Sequence, residues 1–338
     1  MPRIPVSIVT GFLGAGKTTF LNRLIATGAL DRAALIINEF GDIGIDHLLI
    51  ETAEEGIVEL SGGCLCCSLR GDLSDSLSRL VERDPAPDRI VIETTGLADP
   101  GPIAQLVIAH PDLNQRLELT GIVALIDCAE GPVLPEAHEE ARRQIAMADR
   151  ILVTKSDVKE PAAGLEGMLR ALNTGAEVVD VLDGVSVEWL DRLMPTSPPG
   201  GGRQESDTPA RSHLHNTTIK AIALSSPNPV PLSAIELFLG RLLSICGDNL
   251  LRVKGLVCTT EMRDRPLLIQ GVGQSFDTPR RLPNWPGGIT HTRLIIIGRN
   301  PDEQTIRHLF DSLAGRPVTD TPDRQALEEN PLSVPGFF

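Results

Sequence analysis

The sequence predicts an α/β domain built on a mainly parallel sheet, followed by a smaller α+β domain. Three observations carry that prediction. Short apolar runs alternate with helical patterns up to about Met194, an order that yields parallel strands covered by helices on both faces. A glycine-rich turn, Gly11-Phe12-Leu13-Gly14-Ala15-Gly16-Lys17-Thr18, joins the first strand to the first helix. Beyond Pro195 the composition changes and the alternation stops, and a chain of 338 residues exceeds what one hydrophobic core usually serves.

Ile4 to Val9 reads as a buried strand. Thr18 to Thr27 carries Phe20, Leu21, Leu24 and Ile25 at helical spacing, with Gly28 where a helix C-cap belongs. Ala33 to Asn38 and Ile57 to Leu60 are further strands, and Ser68 to Arg83 spaces Leu69, Leu73, Leu77 and Leu80 along one helix face. Arg89 to Glu93, Gly121 to Asp127 and Arg150 to Thr154 complete the strands of the first domain, with helices between them. Pro195, Pro198, Pro199 and Gly200 to Gly202 cannot build a core, so a flexible linker is expected there, with the second domain mobile on the first. Thr217 to Leu224, Leu250 to Cys258, Pro266 to Val272 and Thr292 to Ile297 then read as strands. Leu232 to Ile245 and Pro301 to Leu313 read as two helices on one face of that sheet. The expected division is residues 1–194, a linker over 195–216, a second domain over 217–316, and a poorly ordered tail over 317–338.

Composition narrows the function. Hydrophobic residues at 41% and charged residues at 22% describe an ordinary globular chain. A net charge of −14, with aromatics at 3% and no Tyr, argues against a nucleic-acid partner. No apolar run approaches the ~20 residues that span a bilayer, and Met1 to Val9 is too short for a signal peptide. A cytoplasmic location is expected, with no membrane partner and with reduced thiols. Cys128, Cys246 and Cys258 stand singly in apolar segments and read as inert core residues.

The glycine-rich turn has the spacing of a P-loop. Its glycines let backbone N–H groups wrap phosphates, Lys17 supplies charge to the β and γ phosphates, and Thr18 offers a hydroxyl to Mg²⁺. Gly11, Gly14, Ala15, Gly16, Lys17, Thr18 and Thr19 are therefore candidate nucleotide contacts. Glu93 ends a strand where an acid can reach Mg²⁺ or its water, and Gly96 can bring a backbone N–H to the γ-phosphate. Thr154-Lys155-Ser156-Asp157 closes another strand. There a carboxylate can accept two N–H bonds from the Watson–Crick edge of guanine, and Lys155 can lay its stem on the base. Lys17, Thr18 and Glu93 are the catalytic candidates. No arginine is placed as a charge donor, so intrinsic GTP hydrolysis is expected to be slow.

Cys64-Leu65-Cys66-Cys67 follows Ser61-Gly62-Gly63 on a tight loop. Three thiols at that spacing suit a soft cation such as Zn²⁺ or Cu⁺. A redox thiol pair and buried inert thiols are the competing readings. The local ligand set lacks a fourth member, which Glu39, Asp42 or an exogenous group would supply. His213 and His215, beside the linker, read first as a solvated loop pair, with an accessory metal-capture site as the alternative that their ligand-like spacing allows. His47, His110, His138, His291 and His308 carry no legible chemistry.

Taken together, the P-loop, Asn38-Glu39-Phe40-Gly41, the Cys-x-Cys-Cys loop, Glu93-Thr-Thr-Gly-Leu-Ala-Asp-Pro100 and Thr154 to Asp157 resemble the CobW family of P-loop GTPases. Leu250 to Gly255 and Gln270 to Gly273 resemble that family's C-terminal module. Thr154 stands where Asn is commoner, and the His-rich stretch of many members is reduced to His213 and His215. The resemblance implies a P-loop NTPase fold and a metallochaperone that hydrolyses GTP to GDP with Mg²⁺. Cys64, Cys66 and Cys67 would hold Zn²⁺, or Co²⁺ or another transition metal, for delivery to a client metalloprotein. Asn38 and Glu39 would lie in a switch region. Alternatives are a cobalt-directed GTPase of cobalamin biosynthesis, an activator of nitrile-hydratase type, a non-enzymatic metal store and a small-molecule kinase. Assembly into a homo-oligomer is left open.

Overall fold

In the computed structural model, residues 3–37, 57–59, 68–131, 133–184, 186–191, 219–286 and 290–315 are described. The first domain opens on β1 (Ile4–Gly11), whose alternate side chains feed both faces of a sheet. Helix α1 (Lys17–Ala26) follows the glycine-rich turn and ends where Gly28, at φ +72°, donates its N–H to Ile25 O at 2.9 Å. Then come β2 (Ala33–Ile37), β3 (Ile57–Glu59), α2 (Ser68–Val81) and β4 (Arg89–Glu93). Next are α3 (Gly101–Ala109), α4 (Leu113–Arg116) and β5 (Leu117–Asp127). The domain closes with α5 (Leu134–Ala137), α6 (Glu139–Met147), β6 (Arg150–Thr154), α7 (Leu165–Leu172), β7 (Glu177–Asp180) and α8 (Glu188–Asp191).

The seven strands are ordered β3-β2-β4-β1-β5-β6-β7, and every pairing is parallel. Strand periodicity divides the core between the two faces. Val6, Ile8, Ile90, Ile92 and Ile122 pack under α2, α3 and α4, whereas Val9, Leu35, Val91, Val123 and Leu125 pack under α1 and α8. Helices α6 and α7 cover Ala124, Ile126, Ile151 and Val153.

The second domain comprises β8 (Ile219–Ser226), α9 (Leu232–Cys246), β9 (Leu250–Val257), β10 (Leu267–Val272), β11 (Ser275–Phe276), β12 (Arg280–Arg281), β13 (Thr292–Arg299) and α10 (Glu303–Leu313). Its antiparallel sheet runs β11-β10-β9-β13-β8, with β12 also on β10. Both helices lie on one face, as the sequence predicts. Phe238 of α9 meets Phe310 of α10 edge-on, with ring centroids 5.7 Å apart.

The other face does not swing free. Ile219, Leu251 and Ile297 pack on Ala146 of α6, and Gly175 lies so close to Ile295 that a Cβ there would fall 2.3 Å from its Cδ1. Asp149, just before β6, accepts from Arg252 Nη2 at 2.7 Å and Lys254 Nζ at 2.6 Å across the domain boundary, all three being buried. Burial alone would raise the Asp149 carboxyl, but the two cations hold it below the usual carboxylate value. The expectation of a mobile second domain is corrected on this ground: a buried ion cluster and apolar contacts tie the domains together, whatever the linker's composition. The linker and the tail lie outside the described residues.

Other differences concern element ends. Strand β5 starts four residues before the expected Gly121, because Leu117 and Leu119 continue the apolar face of Ile122. Strand β7 has no counterpart among the predicted strands. All four of its residues are half-buried at the sheet edge, so its apolar signal is short. No helix among the described residues is long and apolar enough to cross a membrane.

Candidate functional site

The site gathers at the carboxyl ends of β1, β4, β5 and β6, around the turn between β1 and α1. Gly11 (φ +144°) could bear no side chain: a Cβ there would fall 2.5 Å from Leu125 O. Gly16 (φ +92°) is the N-cap of α1, so the helix's first N–H groups face the hollow of the loop. Ala15 is buried under the loop and Gly14 (φ +74°) faces open space. Lys17 Nζ donates to Gly11 O at 2.9 Å, folding its charge over the loop.

Thr18 Oγ1 donates to Glu93 Oε1 at 3.1 Å, which brings the two expected magnesium-side groups together. Two hard oxygen donors beside a phosphate-shaped loop fit Mg²⁺, which prefers oxygen and keeps several waters. Bound there, the ion would neutralise phosphate charge. Gly96 packs against the loop so tightly that a Cβ would lie 2.7 Å from Leu13 N and 2.8 Å from Leu13 Cα. The loop after β4 and the phosphate loop are thus in backbone contact.

The base-side segment is equally well anchored. Thr154 Oγ1 donates to Ala15 O at 2.9 Å and lies 3.1 Å from Ile126 O, so this hydroxyl joins the β6 end to the phosphate loop. Lys155 has φ +62° and pairs with Asp127 Oδ2 at 2.8 Å. Burial would raise Asp127, but Lys155 and the Ala129 N–H hold its carboxyl below the usual value, keeping it an anion that fixes the lysine. Asp157 is exposed at the rim of a hollow of about 190 Å³ floored by Gly16 and Phe20 and walled by Lys155 and Leu182, with Thr19 at its edge. The hollow is mainly apolar, with the Asp157 carboxylate in its lining.

Several site residues escaped the sequence reading. Asp127 ends β5 as Glu93 ends β4, and the same signal, an acid closing an apolar run, was there to find it. Val181 and Leu182 wall that hollow, and Asp180 accepts from Ser156 Oγ at 2.7 Å and from Leu182 N at 2.9 Å. Their signal is the run Val178-Val179-Asp180-Val181-Leu182. His138, read as carrying no chemistry, stacks on Phe12 of the phosphate loop with ring centroids 4.5 Å apart. Cys128, Cys246 and Cys258 are buried and free, and burial pushes all three thiols up, as expected of core residues.

The proposed metal ligands Cys64, Cys66, Cys67 and Glu39, with Asp42, His213 and His215, lie outside the described residues. Among the described residues, no group of three or more His, Cys, Asp and Glu is placed to hold a metal ion.

A parallel sheet with a phosphate loop at its carboxyl ends, an oxygen pair beside that loop and a purine-sized hollow define a P-loop nucleotide-binding protein. Comparison with known proteins narrows the class. Residues 5–180 match the model of the CobW/HypB/UreG nucleotide-binding domain, and residues 219–314 match that of the cobalamin synthesis protein cobW C-terminal domain. The chain belongs to the CobW family. It is 34% identical over 322 residues to the zinc chaperone YjiA of Escherichia coli K12, covering 93% of this chain and 99% of that one. It is 36% identical over 181 residues to the zinc-regulated GTPase metalloprotein activator 1 of Saccharomyces cerevisiae, covering 47% of this chain and 42% of that one. The crystal structure of Zn(II)-bound YjiA GTPase from E. coli superposes with a TM-score of 0.67 at 28% identity, over 93% of this chain and 99% of that chain.

Proposed function

We propose that this protein is a GTP-hydrolysing metallochaperone that carries zinc and passes it to a client metalloprotein under nucleotide control. The observation that carries the nucleotide half is the convergence on one loop of the Thr18–Glu93 oxygen pair and the hollow rimmed by Asp157. Lys17 and the backbone N–H groups of the loop neutralise the phosphates. Thr18 and Glu93 would hold Mg²⁺, the loop after Glu93 would meet the γ-phosphate, and Asp157 would read guanine. The zinc half is supported by the donor chemistry of Cys64, Cys66 and Cys67 and by relatives named as zinc chaperones. The C-terminal family model is named for cobalamin synthesis, and a cobalt cargo is the second reading.

One experiment separates these readings. Protein purified without chelators is assayed for bound metals, and for GTP and ATP hydrolysis with and without added Zn²⁺. Bound zinc with a preference for GTP is the expected result. Cobalt in place of zinc would move the cargo to the cobalamin reading, and preferential ATP hydrolysis would remove the guanine assignment.

A further inference from the structure

Helix α6 stands between the loop after β4 and the second domain. Gln144, 1% exposed, reaches from α6 into that loop and donates through Nε2 to Gly96 O at 3.2 Å and Ala98 O at 3.0 Å. The preceding residue, Arg143, donates through Nη1 to Asp99 Oδ2 at 2.8 Å, and Asp99 Oδ1 accepts from Gly101 N at 2.8 Å. The same guanidinium pairs through Nη2 with Glu139 at 2.8 Å. Glu139 is in turn 3.4 Å from Arg299 Nη2, at the end of β13 in the second domain. An unbroken line of charge therefore runs Asp99–Arg143–Glu139–Arg299.

The helix carrying this line is held rigidly. Asn173 Nδ2 lies 2.8 to 2.9 Å from Ile145 O, Ala146 O and Ala148 O, capping the carbonyls that a helix end leaves without partners. Just beyond, Asp149 pins the same end to Arg252 and Lys254. Beside the charge line opens a cleft of about 430 Å³ between the domains, lined by Asp99, Arg143, Met147, Asp248, Gln274 and Arg299. The half-exposed pairs thus have room to change partners while the helix stays fixed.

We infer that Arg143 and Gln144 are positioning residues for GTP hydrolysis, and that Arg299 makes their effect answer to the second domain. Gln144 and Arg143 hold the loop whose Gly96 abuts the phosphate loop, and the Glu139–Arg299 pair biases the rotamer in which Arg143 can hold Asp99. The second domain then controls the catalytic rate without contributing a group to the nucleotide site.

The test uses the full chain and compares Arg143→Ala, Arg299→Ala, the double variant and Arg299→Lys. GTP turnover is read as separate kcat and KM, beside a thermal melt. Half-exposed ion pairs are weak and positioning losses are steep, so Arg299→Ala should lower kcat about threefold and Arg143→Ala about tenfold. KM should stay within about twofold, and the melting temperature of Arg299→Ala should be unchanged. Because the line passes through Arg143, the double variant should be no slower than Arg143→Ala alone, and Arg299→Lys should recover most of the loss. A kcat for Arg299→Ala equal to or above that of the parent would overturn the inference. So would losses that multiply in the double variant.

Discussion

Substituting Gly96 by Ala tests whether the loop after β4 must touch the phosphate loop for turnover. Gly96 does not have a positive φ, so Ala suits its backbone and any penalty is steric. The added Cβ would lie 2.7 Å from Leu13 N, so the two backbones must part by about 0.7 Å to reach the 3.4 Å of ordinary contact. Retreat of Gly96 is opposed by the buried Gln144 amide on its carbonyl. Retreat of Leu13 shifts the loop that wraps the phosphates. A displacement near 1 Å at a reacting centre costs on the order of 100-fold in rate, so kcat should fall between about 10-fold and 100-fold. GTP affinity should weaken far less, because Lys17, Thr18 and the base hollow are untouched. Single-turnover GTP hydrolysis at saturating enzyme reads the chemical step directly, and a thermal melt confirms folding. A Gly96→Ala protein that hydrolyses GTP within twofold of the parent rate would refute the contact's role.

Three further predictions concern separate parts of the molecule. Lys17→Ala should abolish GTP turnover while Cys66→Ala leaves nucleotide binding intact; loss of nucleotide binding in the Cys66 variant would make its loop structural. Thr154→Val removes the hydroxyl that joins the β6 end to Ala15 O at 2.9 Å, worth about 1 kcal/mol for a neutral hydrogen bond. Titration calorimetry should show GTP binding weakened about fivefold, and an unchanged Kd would contradict the anchoring role. Asp149→Asn leaves Arg252 and Lys254 buried without their anion and should cost about 3–5 kcal/mol of stability at neutral pH. The folded carboxyl lies below its unfolded value of about 3.9. Its stabilisation is therefore complete above that value and is lost as pH falls through the folded one. Denaturation series below pH 4 should show a shallower decline for the Asn variant than for the parent; equal slopes would dismiss the linkage.

Much of the molecule is legible in the chain because its signals are local. The turn from Gly11 to Thr18 requires a strand before and a helix after, and β1 and α1 are found there. Glu93 and Thr154 close apolar runs, and the parallel sheet brings both to the same edge as the phosphate loop. What escaped depends on partners far apart in sequence. Arg143 and Gln144 sit in Glu139-Glu-Ala-Arg-Arg-Gln144, a polar stretch that reads as a solvated helix face until the loop from Gly96 to Asp99 and the second domain close over it. Lys254 reads as an ordinary strand charge, and just its pairing with Asp149 across the domain boundary explains its burial. The linker's Pro and Gly content describes the linker alone, so it could not reveal how firmly the sheet face behind Ile295 and Ile297 packs on the first domain.

Nucleotide control of the metal site is tested most directly by Zn²⁺ affinity in two nucleotide states. Competition with a chelating dye would be run on protein saturated with a non-hydrolysable GTP analogue and on protein saturated with GDP. Contacts with the γ-phosphate would act on the loop after Glu93, and Cys64, Cys66 and Cys67 lie in sequence between Glu39 and Glu93, so the two affinities should differ. Zinc should then shift the affinity for the GTP analogue relative to GDP by the same factor. Identical zinc affinities in the two states would contradict nucleotide-controlled delivery.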